Sequence, residues 1–260
     1  GRRRASPPVF LEVQVSNNIK QRFAIMVTVT ALVGAAALGL WLFSIHDRAA
    51  DVDPSPISAD ASGSDAASDG VPTVDWEYWL SVNPDIVAWV SVAGTEIDYP
   101  VVQARSGDPT FYLDHDVYRE WNPYGCPYLD AACAGRGIDS PLALMFAHHM
   151  NDGSMFSAFA SYSDAGFAAE HDEILLQTPE GNARLRVVAV DVVDSNVEHK
   201  RLDFATDEEL SSWLDELLGR ADVALVDGAR TDSVKAFCTC SYGRWNGHER
   251  TIVYAQEEVG

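Results

Sequence analysis

Cysteine is scarce in this chain. Four residues in 260, Cys126, Cys133, Cys238 and Cys240, are too few for the disulfide framework of a small secreted scaffold. No Cys-x-x-Cys pair occurs. The pair of adjacent histidines at His148 and His149 with Cys238 and Cys240 is a poor zinc set, because neighbouring strand residues point to opposite faces. Neither a metal nor an organic cofactor is expected. Positive charge is scarce as well: 18 Lys and Arg stand against 39 Asp and Glu, a net charge of -21. The first 50 residues hold six basic and two acidic residues, a balance of +4, which leaves -25 on the remainder. Such an acidic body repels phosphates and excludes nucleic acid as a partner. No internal repeat is visible. What remains, 47% hydrophobic residues over this length, suffices for one ordinary core with appendages.

The appendages come first. Residues 1–22 are polar and basic without an apolar period, and read as a cytoplasmic tail. From Phe23 to Ile45 run 23 residues without a charge. As a helix at about 1.5 Å per residue they would span roughly 30–35 Å, the thickness of a bilayer's hydrocarbon. Trp41 fits an interfacial aromatic. A signal peptide's apolar region is shorter, about 7–15 residues, and a buried core helix this long and uncharged is unusual. The segment therefore reads as an uncleaved single-pass anchor. Basic residues precede it while Asp47, Asp51 and Asp53 follow, so the N-terminus is expected in the cytoplasm and the rest outside. Residues 46–72, rich in Asp, Ser, Ala, Pro and Gly, cannot bury enough surface to offset chain entropy and read as a flexible linker.

The folded domain is expected over 73–260. Asp75 to Leu80 reads as a short amphipathic helix with aromatics on one side, and Asn83-Pro84-Asp85 opens a second short element running to Trp89. Thr95 to Gln103 has strand character, with Pro100 pointing to an edge or a bend. Asp130 to Ser140 reads as a surface loop. Ala143–Ala147, Ile174–Gln177, Leu185–Val193, Val234–Cys238 and Thr251–Ala255 are Val- and Ile-rich strands. One helix is well marked: Thr206 with Glu209 makes a capping-box pattern, and Leu210, Trp213, Leu214, Leu217 and Leu218 follow at helical spacing. Many strands with few helices favour a β-barrel or sandwich carrying peripheral helices.

The chemistry concentrates near the C-terminus. Val234-Lys235-Ala236-Phe237-Cys238-Thr239-Cys240 reads as a strand ending in a thiol. A polar loop follows, then a second strand that opens on Arg250. Cys240 at a strand end is placed to attack a substrate, although a buried structural thiol is the plain alternative. Arg250 would serve as a permanently charged oxyanion donor, or else pair with a carboxylate such as Glu249, and Arg244 competes for the same role. His148, also at the end of an apolar run, supplies a proton donor or acceptor if its strand is adjacent. Cys126 and Cys133 flank a short loop and a bridge between them is left open. A Cys238–Cys240 bridge would be strained and would consume the nucleophile.

These residues fall into a pattern. Asn83-Pro84-Asp85-Ile86-Val87-Ala88-Trp89, Thr95 to Gln103, Phe111-Tyr112-Leu113, Gly125 to Asp130, Ala147-His148-His149-Met150 with Gly153-Ser154-Met155-Phe156, and Ala236-Phe237-Cys238-Thr239-Cys240 with Arg250 resemble, in order, the blocks of the class B sortases. The chain departs from that family's pattern at Ala147, His149, Ala236 and Cys238. The resemblance implies a closed β-barrel, mainly β, with N-terminal helices and one long helix in the loop before the penultimate strand. It implies a membrane-anchored cysteine transpeptidase of Gram-positive bacteria, with Cys240 as nucleophile, His148 as general acid/base and Arg250 as oxyanion stabiliser. Cys238, Thr239 and His149 would touch the substrate. The implied partners are secreted proteins with a C-terminal sorting motif and an amine from a cell-wall precursor or a pilin lysine. A cysteine hydrolase using water and a non-catalytic surface binding module are the alternatives.

Overall fold

The computed structural model describes residues 71–226, 233–245 and 247–257. The expected anchor, 23–45, with the basic tail and all but the end of the linker, lies outside them. Among the described residues no helix is long and apolar enough to cross a membrane.

Nine strands lie among the described residues: β1 Ile86–Ser91, β2 Asp98–Gln103, β3 Tyr128–Leu129, β4 Leu142–Phe146, β5 Glu173–Thr178, β6 Gly181–Asp194, β7 Val223–Ala224, β8 Val234–Ser241 and β9 Glu249–Glu257. Their order is β5-β1-β2-β3-β4-β8-β9-β6-β7, and β6 pairs back onto β5. Eight strands thus close a barrel, with no free edge around the ring. The length of β6 makes closure work. Its residues 181–186 pair with β5 and its residues 185–194 with β9, while β7 adds to it at Ala189 and Val190. The β2–β3 and β4–β8 pairs are parallel and the others antiparallel. Pro100 lies opposite Trp89 on the part of β2 that β3 does not reach, where a missing N–H is harmless.

The strands are apolar on both faces because both faces are covered. Inside the barrel, Ala143 and Met145 of β4, Phe237 of β8 and Val253 of β9 meet Phe156, Phe159 and Tyr162. Phe159 and Tyr162 belong to a short segment in which α2 (Ser157–Ala160) runs into a 3-10 turn and then α3 (Ala165–Glu170). Outside, Leu142 and Leu144 of β4, Val234, Ala236 and Cys238 of β8 and Tyr254 of β9 lie against Leu210, Leu214 and Leu217 of α4 (Asp207–Arg220). That helix begins where the capping box predicts: Thr206 Oγ1 accepts from Glu209 N at 3.2 Å, and Glu209 Oε2 accepts from Ala205 N at 2.8 Å. A third cluster packs Trp79 of α1 (Trp76–Val82) on Trp89, Val102 and Tyr112.

One expectation is corrected. The resemblance implies more than one N-terminal helix, yet among the described residues before β1 there is α1 alone, and the second short element, Asn83 to Trp89, does not add another. It is a turn followed by β1, because alternate residues serve different layers: Ala88 and Val90 enter the barrel while Trp89 packs under α1. All four cysteines are free thiols. Cys126 lies in the cluster under α1 and Cys133 in the barrel core, so the short loop between them does not bring them together.

Candidate active site

Cys240 is the next-to-last residue of β8, partly exposed where its neighbours are buried. Its position follows from alternation: Phe237 and Thr239 are buried, and Cys238 and Cys240 fall on the outward face, where Cys238 packs in the α4 cluster. Arg250 lies directly across from Cys240 in the antiparallel β8–β9 ladder. Side chains so paired share a face with Cβ atoms about 4.5–5.5 Å apart. On the other side, the parallel β4–β8 ladder matches Leu142 to Val234 through Phe146 to Cys238. Carried two residues further at the same offset, it sets His148 level with Cys240. The extension is tied down: Ala147 N donates to Cys238 O at 3.3 Å, and Thr239 Oγ1 donates to Ala147 O at 3.1 Å. His148, two residues beyond the end of β4, therefore comes level with the thiol on β8 and the guanidinium on β9.

The surroundings of each differ. His148 Nε2 is 2.7 Å from the Leu113 carbonyl, which comes from the long β2–β3 connection. Arg250 Nη1 donates to its neighbour's carbonyl, Glu249 O, at 2.8 Å. Arg244, the competing cation, is drawn away to Asp222 at 2.6 Å. His149 turns elsewhere, its Nδ1 2.8 Å from the Cys240 carbonyl and its ring edge against exposed Tyr242. It braces the strand end that carries the thiol. Thr239 is buried and its hydroxyl is engaged with Ala147, so it faces away from the groove. Cys238 lines the groove beside Arg250. Burial pushes its thiol up to about 12, against the opposing pull of Arg250, which makes it a poor nucleophile at neutral pH.

That groove is an apolar pocket of about 220 Å³ on the outer barrel face, walled by Cys238, Arg250, Ile252, Trp213, Tyr254 and the strap His199–Leu202 before α4. Lys200 of the strap forms an ion pair with the buried Asp130. The loop between β8 and β9 is held from within by Glu249, which is buried and accepts from Gly243 N at 2.8 Å, from Arg244 N and from Trp245 N at 3.0 Å. Burial works to raise this carboxyl. The three backbone donors and Ser241 overcome it and bring it down to about 2. Among the described residues no cluster of three or more His, Cys, Asp or Glu could hold a metal ion. Leu113 lies in the Phe111–Leu113 block quoted above, but nothing in that block points to its carbonyl as a partner for His148, and Glu249 carries no motif. Glu249 reads in sequence only as a salt-bridge partner for Arg250.

No family model matches the chain. Sortase B of Staphylococcus aureus is 25% identical over 182 residues, covering 70% of this chain and 73% of that protein. This chain is a relative of the class B sortases. The solved Staphylococcus aureus sortase B–substrate complex superposes with a TM-score of 0.59 at 25% identity, over 69% of this chain and 82% of that one. A sortase B complexed with triglycine gives 0.59 at 25% identity, over 69% and 83%. The relationship to class B sortases supports a sortase-type cysteine transpeptidase, and the closed barrel is the fold these proteins share.

Proposed function

We propose that the chain cleaves a sorting signal of secreted proteins at Cys240 and transfers the acyl fragment to an amine. The observation that carries this reading is the row formed by His148 just past the end of β4, Cys240 on β8 and Arg250 on β9, beside an apolar groove. Cys240, as thiolate, attacks a backbone carbonyl of a peptide laid in the groove, and the electron pair moves onto the carbonyl oxygen. Arg250, which never loses its proton, stabilises that oxyanion. Collapse of the adduct breaks the C–N bond, His148 protonates the departing amine, and a thioester remains. An incoming amine then attacks the thioester, the C–S bond breaks, the amine's proton passes to His148, and the Cys240 thiolate with protonated His148 is restored. The solved complexes of relatives with a substrate and with triglycine favour a peptide donor and an amine acceptor; a cell-wall cross-bridge or a pilin lysine would supply that amine. The apolar segment 23–45 would anchor the protein in a membrane with the domain outside, and the linker 46–72 would let it reach both substrates.

The test is intact mass of the full chain and of Cys240→Ala after incubation with peptides bearing candidate sorting motifs. An acyl adduct on the wild type alone, discharged into an amide by triglycine, is the expected result. Discharge by water at the same rate with or without triglycine would make the chain a hydrolase. No adduct across the peptide set, with Cys240 alkylatable by iodoacetamide, would overturn the reading.

A further inference from the structure

Three stretches far apart in the chain, Asn83–Asp85, Phe111–Leu113 and the turn at Gly125, converge on one backbone carbonyl. We propose that the Leu113 carbonyl orients the His148 imidazole, and that Asn83, Asp85, Arg105, Tyr112 and Gly125 are positioning residues that hold this carbonyl in place. The inference rests on the acid/base role given to His148 above.

A carbonyl oxygen can only accept. At 2.7 Å from Leu113 O, His148 Nε2 must carry the hydrogen whether the ring is neutral or cationic. Nδ1 is then the nitrogen that gains and loses the proton. Which nitrogen works is therefore decided by where Leu113 O stands.

That position is not secured by regular structure. Leu113 sits in a single 3-10 turn, Phe111–Leu113, its own N–H donating to Thr110 O at 2.9 Å. The restraint comes from Tyr112, whose side chain is buried. Its hydroxyl donates to Asp85 Oδ2 at 2.6 Å and accepts from Asn83 Nδ2 at 3.0 Å. Asn83, fully buried, also donates to Val117 O at 2.9 Å and accepts from Asp85 N at 3.0 Å. Arg105 closes the set, its Nε and Nη2 at 3.1 and 2.8 Å from Asp85 Oδ2 and its guanidinium 4.4 Å over the Phe111 ring. The hydroxyl has one hydrogen, and with Asp85 ionised that hydrogen has one place to go, so a single pattern of donors satisfies the set.

Gly125 fixes the carbonyls from the other side. It adopts φ +63°, and a Cβ there would stand 2.4 Å from Tyr112 O and 2.7 Å from Leu113 O. Only glycine allows the backbone so close. A methyl at this position would push directly on the oxygen that holds the imidazole.

The experiment uses the full chain labelled with 15N at histidine, with His148→Gln to assign the ring resonances. Neutral His148 is expected to be the Nε2–H tautomer alone. Tyr112→Phe and Gly125→Ala should give a mixture of tautomers. Both should cut kcat for acyl transfer about tenfold to a hundredfold, the range that small misplacements of a reacting group cost, with KM nearly unchanged. If Gly125→Ala does not fold, Tyr112→Phe, which keeps the ring, decides. A wild type in the Nδ1–H form would overturn the proposal. So would variants that melt earlier yet keep the wild-type tautomer and kcat. Should the wild type transfer no acyl group at all, the tautomers still decide the positioning claim, and only the transfer reading falls.

Discussion

The two flanks of Cys240 are built in different ways. On the Arg250 side, position comes from a regular antiparallel ladder: seven consecutive residue pairs from Lys235–Ala255 to Ser241–Glu249 set the guanidinium opposite the thiol. Phe237 and Val253 facing the barrel core, with Cys238 and Tyr254 facing α4, specify that register, and the length of the ladder makes it insensitive to the side chains of the row itself. On the His148 side the strand has ended at Phe146, and the imidazole is placed by contacts from distant sequence. These are the Leu113 carbonyl, the Thr239 hydroxyl on Ala147 and the Phe156 N–H on His148 O at 3.0 Å. A ladder tolerates substitution and conserves geometry. An off-ladder placement depends on a few individual groups, so its geometry is expected to fail before the fold does.

The largest effect that separates the flanks is expected at Arg250→Ala. Loss of one donor to a developing oxyanion costs about 10²–10³-fold in kcat, and the variant should show that loss in acyl transfer to peptide. Its unfolding midpoint should barely move, since the side chain is part-exposed and its neighbours keep their ladder. Arg250→Lys should recover little, because an ammonium cannot reproduce the planar fork. A variant that keeps wild-type kcat would remove Arg250 from the chemistry and leave the ladder side of the site with the thiol alone.

The same asymmetry decided what could be read from the sequence. Cys240 and Arg250 are ten residues apart on two strands joined by one loop, and α4 announces itself through Thr206, Glu209 and its leucines. These are local signals, and they correspond to local structure. β3, at two residues, is too short to leave a period, and α2 and α3, at four and six, are held by burial of Phe159 and Ala168 rather than by propensity. The acceptor for His148 is a backbone oxygen 35 residues away, which no side chain announces. Taken residue by residue Arg244 competes with Arg250, and the resemblance alone favours Arg250; in the fold Asp222 engages Arg244. Glu249 next to Arg250 suggested an ion pair, yet neighbours on a strand face opposite ways, and its carboxylate serves the loop instead.

Glu249 gives the second prediction, on the ladder flank. Its carboxyl falls from an ordinary 4.5 to about 2 in the folded state. The fold favours the ionised form, so its stabilisation is complete above pH 4.5 and is lost as pH falls towards 2. Glu249→Gln leaves one acceptor oxygen for three backbone N–H groups and should destabilise by about 1–3 kcal/mol at neutral pH. It should also flatten the acid limb of the stability profile measured by urea unfolding. Equal stability of the two proteins at pH 7 would mean that the loop is held by something other than this carboxylate. Acyl transfer should fall less than in Arg250→Ala, because β9 still presents the guanidinium.

Thr239→Val is the smallest change and the sharpest probe of the His148 flank. Valine fills the space of threonine and removes one hydroxyl, so packing under Thr239 is nearly kept and the Ala147 carbonyl loses its 3.1 Å donor. One net hydrogen bond is worth about 1 kcal/mol, and unfolding should register roughly that. If Ala147 is a real restraint on the next residue, kcat should drop a few-fold while Cys240 alkylates at the wild-type rate, since the thiol's own strand pairing is intact. If kcat is unchanged, the Leu113 carbonyl alone holds the imidazole, and the off-ladder flank is simpler than the comparison with Arg250 implies.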